Sequence, residues 1–121
     1  MYSKTKFDNA KSDLIASYLY PPADRAKQVE HTFLRALLGL AAKNGCVTQN
    51  DVQRAIEGSG IFDLSPEIAD RTLRSLLALG DHYVGVLSRQ QAAELRRLRK
   101  LCIMAAATGD RDALSQISEI L

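Results

Sequence analysis

Apolar residues recur at intervals of three and four along most of this chain, a spacing that places them on one face of an α-helix. Phe7, Ala10, Leu14 and Tyr18 follow this rule in the first such stretch. Prolines, glycines and polar residues separate the periodic stretches, as is typical of helix boundaries. The pattern predicts an all-α fold of about six helices, at residues 7–19, 24–43, 48–57, 65–79, 88–107 and 110–121.

The residues at the predicted helix ends support these boundaries. Thr48 is followed three positions later by Asp51, and Ser88 by Gln91. Each pair can form a capping box, in which the two side chains bind free backbone amides at the start of a helix. Gly80 is expected to end the helix that precedes it, because glycine is the usual residue just beyond a helix.

The middle of the chain contains an approximate repeat with an offset of 40 positions. Gly45 aligns with Gly85, Val47 with Leu87, Thr48 with Ser88, Phe33 with Leu73, Ala36 with Leu76 and Leu37 with Leu77. Each repeat is a helix–loop–helix unit that cannot bury its apolar face alone. We therefore expect one domain, residues 1–121, with the two units packed together over 24–107, a leading helix at 7–19 and a terminal helix at 110–121.

The two loops have the spacing of an EF-hand loop, which carries glycine at its sixth position, an aliphatic residue at its eighth and an acidic residue at its twelfth. These positions hold Gly45, Val47 and Asp51 in the first loop and Gly85, Leu87 and Gln91 in the second. Over residues 30–105 the chain thus resembles a paired EF-hand domain. The resemblance implies that the loops pair as a short β-bridge, with Val47 beside Leu87.

Most calcium ligands of that family are missing from this sequence. The first, third and fifth loop positions hold Leu40, Ala42 and Asn44 in the first loop and Gly80, His82 and Val84 in the second. Neither twelfth position has the bidentate glutamate that calcium sites use. The resemblance therefore implies a degenerate EF-hand-like pair that does not bind calcium.

Composition and charge narrow the class of protein. A hydrophobic content of 46% and a charged content of 25% are typical of a globular domain, and a net charge of +2 does not by itself indicate a nucleic-acid partner. The longest nearly uncharged apolar run, residues 36–42, is far short of the roughly 20 residues that span a bilayer. No apolar stretch of a secretory signal follows the amino terminus. We therefore predict a cytoplasmic protein without membrane association, with Cys46 and Cys102 reduced.

No sequence motif indicates catalysis or metal binding. The chain lacks a nucleophile elbow, a phosphate-binding glycine loop and a His-Glu-x-x-His motif. His31, His82, Cys46 and Cys102 are metal-ligand types, but none of them forms the close pairs that zinc sites use. We expect no enzyme activity, no bound metal and no cofactor.

A concentrated basic run is the clearest charged feature. It consists of Arg89, Arg96, Arg97, Arg99 and Lys100, interrupted by Glu94. These residues lie opposite the apolar positions of the predicted helix. One interpretation is contact with an anionic partner; the other, which we favour, is a solvated helix face whose arginine stems cover apolar neighbours.

Taken together, these patterns favour a non-enzymatic adaptor or regulatory module that binds another protein. We expect a groove between the two units to take an amphipathic partner helix. Its predicted lining is Leu73, Leu77, Leu95 and Leu98. A homodimer is compatible with the apolar last helix.

Two other functions remain open. A helix-turn-helix-like regulator would read DNA with the helix at 65–79 and hold phosphates with the basic run at 96–100. The nearly neutral exposed face of the helix at 65–79 weighs against this interpretation. A structural subunit of a larger assembly is the third possibility.

Overall fold

The computed structural model describes residues 1–120 and confirms the all-α fold class. Its six α-helices, α1 to α6, span Lys4–Leu19, Arg25–Asn44, Gln49–Glu57, Pro66–Tyr83, Arg89–Thr108 and Arg111–Ile120. Between them lie two short strands, β1 (Cys46–Val47) and β2 (Gly85–Val86), and a 3-10 turn at Ile61–Asp63. Leu121, the last residue of the predicted terminal helix, is outside the described residues.

Both predicted capping boxes are confirmed. At the start of α3 the Thr48 hydroxyl accepts from the Asp51 amide at 3.2 Å, and the Asp51 carboxylate accepts from the Thr48 amide at 2.9 Å. At the start of α5, Ser88 and Gln91 make the same two bonds, each 3.0 Å long. These bonds satisfy amides that have no partner inside the helix. The sequence signal is therefore local and reliable at both sites.

Helix α2 lies at the centre of the molecule. It packs against α1, α3, α4 and α5, while α5 also packs against α1 and α6. Its wide apolar face, which includes the fully buried Phe33, Leu37 and Leu38, forms the middle of one continuous core. The leading helix α1 belongs to this same core, because Phe7 and Leu14 are buried in it.

The two loops between helices pair with each other, as the resemblance to a paired EF-hand domain implied. Strands β1 and β2 are antiparallel, with Cys46 opposite Val86 and Val47 opposite Gly85. The Leu87 amide donates to the Gly45 carbonyl at 2.9 Å. The expected register was wrong in detail, because Val47 faces Gly85 and not Leu87. The pairing is centred on Cys46 and Val86, which are 40 positions apart like the other repeat partners.

The prediction that Gly80 ends a helix was wrong. Helix α4 continues to Tyr83, and Gly80 is buried where α4 crosses α3. A Cβ atom at this position would lie 2.4 Å from Cγ1 of Val52. Glycine is therefore needed here because the two helices approach closely, a requirement that looks the same in sequence as a helix stop.

Helix α4 is rotated relative to the position that the repeat predicts. Its buried residues Thr72, Leu76 and Gly80 each lie 39 positions after a buried residue of α2, namely Phe33, Leu37 and Ala41. The loop glycines are 40 apart, so α4 and its connection are one residue longer than their counterpart. One residue corresponds to about 100° of rotation around a helix. A residue that lies 40 positions after a buried residue of α2 therefore turns toward solvent, as Leu77 does relative to Leu37.

The first residues of the chain bind the second loop. The Tyr2 amide donates to the Val86 carbonyl at 2.9 Å, and the Tyr2 hydroxyl donates to the Tyr83 carbonyl. The Tyr83 hydroxyl in turn donates to the Asp13 carboxylate. Lys6 donates to the Val84 carbonyl at 2.8 Å. Helix α1 and the segment before it therefore tie the end of α4 to the rest of the molecule.

Candidate functional site

The predicted partner groove does not exist as an exposed surface. Leu95 and Leu98 of α5 are fully buried in the core, so they cannot touch a partner. Leu73 is partly buried and Leu77 is 43% exposed. The four side chains separate because α5 turns its apolar face to the core, while the rotation of α4 brings Leu77 to the surface.

Leu73 and Leu77 instead line a different groove, of about 460 Å³, formed by α3, the 3-10 turn and α4. Its other lining residues include Ile56, Ile61 and Phe62. The Phe62 side chain, although apolar, is 80% exposed. Of the adjacent residues Ile61 and Phe62, only Ile61 is buried, since a 3-10 turn points successive side chains in different directions.

A groove of about 800 Å³ lies between α2 and α5 and contains most of the basic run. Its lining consists of Arg35, Ala36, Gly39, Leu40, Ala42 and Lys43 from α2 and Arg96, Arg97, Arg99 and Lys100 from α5. Six of these ten residues are cationic, and none is acidic. The cations flank a floor of small and aliphatic side chains. We refer to this surface as the basic groove.

Three of the six cations are fixed by hydrogen bonds to the protein. Arg96 donates from Nη1 to the Ala42 carbonyl at 2.9 Å, and Arg97 donates to Oε1 of Gln116 at 3.3 Å. Arg35 donates from Nε to the Ser17 carbonyl at 2.6 Å. These bonds leave guanidinium donors for a ligand, because each guanidinium carries five N–H groups.

The other three cations, Lys43, Arg99 and Lys100, make no side-chain hydrogen bond or ion pair within residues 1–120. Arg99 passes directly over Gly39, where an added Cβ would lie 3.4 Å from its Nε. All three side chains are exposed. They are therefore the cations of the groove that are most available to an anionic ligand.

Glu94, the single acid within the basic run, is directed away from the groove. Its Oε1 lies 3.3 Å from Nζ of Lys11, a buried lysine on α1. Lys11 also lies 3.5 Å from the Asp8 carboxylate. The one negative charge that would weaken the basic run is thus used to hold α1 on α5.

Arg89, the remaining residue of the predicted anionic contact, lies next to the basic groove. It lines a smaller groove of about 400 Å³ together with Lys43 and Arg96, which border both. The structure therefore brings all five predicted residues to one side of the molecule. All five side chains are exposed, as on a solvated helix face, and they also line two adjoining grooves.

Sequence reasoning missed the contribution of α2 to this site. Arg35 and Lys43 stand four residues before and after Gly39, so they share one helix face with it. That spacing was visible in the sequence. What it did not show was that α5 lies against this face, because only the packing of the core fixes which helices are neighbours.

A metal site, a reactive cysteine or a membrane-spanning helix would each indicate a different function. Within residues 1–120, no group of three or more His, Cys, Asp or Glu side chains could hold a metal ion. Both cysteines are free, and burial raises the pKa of the Cys102 thiol to about 11, so it stays protonated at neutral pH. None of the helices described in this range has the length and apolarity to cross a membrane.

Comparison with known proteins gives no relative for this chain. No protein-family model matches it, and neither the curated proteins nor the solved structures contain a significant match. The EF-hand resemblance therefore stays a prediction. The geometry and charge of the grooves are the observations that bear on function.

Proposed function

We propose that this protein is a non-enzymatic, cytoplasmic adaptor or regulatory module that binds an acidic, partly apolar segment of another protein in the basic groove. One observation carries the proposal: six cations and no carboxylate surround one groove with an apolar floor. Acidic side chains of the ligand would pair with the cations, and its apolar side chains would cover Ala36, Gly39 and Leu40. An amphipathic helix rich in Glu and Leu has this chemistry.

The expected affinity is modest and depends on salt. Each exposed ion pair contributes about 0.2 to 1 kcal/mol, and burial of apolar surface adds about 25 cal/mol per Å² before the costs of association are subtracted. Raising the salt from about 0.1 M to about 1 M shortens the screening length from about 10 Å to about 3 Å. Binding should weaken over this range.

The proposal is tested by titrating the protein with a synthetic Glu/Leu helical peptide and following fluorescence anisotropy of a label on the peptide. We expect Arg99→Glu combined with Lys100→Glu to abolish binding, because these exposed cations make no bond inside the described protein. Lys4→Glu combined with Arg25→Glu makes the same change in net charge outside the groove and should retain binding. Equal binding by both double variants, or by a Lys/Leu peptide, would contradict the proposal.

Nucleic acid is the alternative ligand, because exposed lysine and arginine side chains also bind phosphates. The groove has no aromatic lining residue on which bases could stack. Arg71 and Arg74 of the predicted recognition helix lie outside the groove, and Arg74 pairs with Asp70 at 3.1 Å. A gel shift that falls steeply with salt and is lost on Arg96→Ala with Arg97→Ala would favour this alternative.

A further inference from the structure

One exposed segment of the chain has the chemistry that the basic groove requires. Residues 57–70 run from the end of α3 through the 3-10 turn into the first turns of α4. They include four acidic residues and no basic residue: Glu57, Asp63, Glu67 and Asp70. All four acidic residues are exposed. We call this segment the acidic lobe.

The acidic lobe also presents an apolar anchor. Phe62 is 80% exposed, the greatest exposure of any large apolar side chain after Met1 among residues 1–120. Its neighbour Asp63 is acidic, and Ile68 of the same lobe is 39% exposed. A phenylalanine left in water next to an acidic residue loses the free energy that its burial would provide. Such a residue is typical of a contact surface.

The basic groove is complementary to this lobe in charge. Its cations would face the carboxylates of Glu57, Asp63 and Glu67, whereas Asp70 pairs with Arg74 at 3.1 Å on its own helix. The aromatic ring of Phe62 would pack on Ala36 and Leu40 of the groove. Arg99, which crosses Gly39, is placed to stack on such a ring, an arrangement in which a cation is attracted to the aromatic face. Lobe and groove are different surfaces of one chain, so the complementarity is available only between two copies.

We propose that the acidic lobe of one molecule docks in the basic groove of a second copy of this chain, with Phe62 as the anchor. This inference rests on the proposed function, because it assumes that the groove takes an acidic segment with an apolar side chain. A contact between two different surfaces either repeats into an open chain or closes into a ring, and a reciprocal pair is its smallest closed form. Self-association then competes with other acidic ligands for the groove.

The test measures the mass of the full-length protein by sedimentation equilibrium over a range of concentrations. Wild-type protein should associate at about 0.1 M salt and dissociate at about 1 M. Phe62→Ser should weaken association about tenfold or more, because the anchor is lost. Arg99→Glu with Lys100→Glu should weaken it at least as much. Tyr20→Ser, which removes another exposed aromatic residue outside both surfaces, should leave association unchanged.

Mixing the two defective variants gives the sharpest result. Phe62→Ser retains a functional groove, and Arg99→Glu with Lys100→Glu retains a functional lobe, so an equimolar mixture should form one-to-one pairs although neither variant associates alone. A monomeric wild type, normal association of Phe62→Ser or the absence of pairs in the mixture would each overturn the proposal. Circular dichroism checks that every variant is folded.

The two proposals fail in different ways. The Phe62→Ser variant has a free groove, so the Glu/Leu peptide can be titrated into it without competition from self-association. Peptide binding to this variant together with a monomeric wild type would refute only the docking of a second copy. If the peptide also fails to bind and the wild type is monomeric, the proposed function is refuted as well.

Discussion

The two helix–loop–helix units of this protein are alike at their loops and different in their first helices. Each loop has a glycine at the start of its short strand, Gly45 just before β1 and Gly85 as the first residue of β2, and both loops lead into a helix through a capping box. Yet α2 lies at the centre of the core and contacts four helices, while α4 lies at the edge. Phe33 and Leu37 of α2 are fully buried, whereas their repeat partners Leu73 and Leu77 are partly or largely exposed.

This difference shows that resemblance in local chemistry does not guarantee resemblance in packing. A capping box depends on residues three positions apart, so it survives wherever that short pattern occurs. The buried face of a helix depends on its rotation, and one added residue turns it by about 100°. The following predictions test how far the two units differ, in order of decreasing effect on the free energy of unfolding.

The largest difference is expected at Leu37 and Leu77, which occupy the same position in the repeat. Leu37→Ala should lower the free energy of unfolding by about 3 kcal/mol, because it leaves a cavity in the core. Leu77→Ala should cost less than about 1 kcal/mol, since this side chain is already 43% exposed. Urea denaturation of both variants measures the difference, and equal losses would mean that the two helices are buried alike.

A second prediction concerns the close contact of α4 with α3, which follows from the short distance between Gly80 and Val52. Gly80→Ala should cost about 2 kcal/mol, because the overlap of its methyl group outweighs the gain in helix propensity. Combining it with Val52→Ala should cost less than the sum of the two single changes, since the smaller side chain makes room. If the losses of the two single variants add in the double variant, the destabilisation by Gly80→Ala does not come from contact with Val52.

The second unit, unlike the first, is joined through Tyr83 to Tyr2 and to Asp13 of α1 by a tyrosine network, which predicts instability in alkali. Burial and the hydrogen bond to Asp13 raise the pKa of Tyr83 above its ordinary value of 10.0, and burial raises that of Tyr2. Above about pH 10 the unfolded chain loses these protons before the folded one does. The stabilisation is therefore complete below pH 10 and decreases as the pH rises further.

Tyr83→Phe tests this network directly. It should cost about 1.5 kcal/mol at neutral pH, because the bond to Asp13 is lost. It should also reduce the slope of the free energy of unfolding with pH above about pH 10. Urea denaturation at about pH 8 and about pH 11 measures both effects. An unchanged slope would show that Tyr83 does not contribute to the alkaline sensitivity.

The smallest effects are expected at the two capping boxes, where the units are alike. Thr48→Ala and Ser88→Ala should each cost about 1 kcal/mol, because each removes an acceptor for an amide at a helix start. Ser12→Ala, at an exposed site within α1, should change the stability by less than about 0.5 kcal/mol. Thermal denaturation of the three variants gives the comparison. A much larger loss at either cap would mean that it also has a tertiary role.

The sequence predicted four of the six cations of the basic groove. The basic run on α5 was recognised from its charge, and all five of its residues lie in or beside the groove. Arg35 and Lys43 were not recognised, since their importance depends on the placement of α2 beside α5. The prediction of an apolar partner groove was wrong. Periodicity identifies an apolar face of α5, but it does not say whether the core or a partner covers that face.

Sequence alone therefore determined the helical class and the helix starts at Thr48 and Ser88, because these features follow from interactions between residues that are near in sequence. The pairing of the two loops was implied by the resemblance to a paired EF-hand domain. The tertiary structure decided which face of each helix is buried, why Gly80 is a glycine and which cations share a groove. These features depend on the rotation and neighbours of whole helices, and the packing of the core sets both at once.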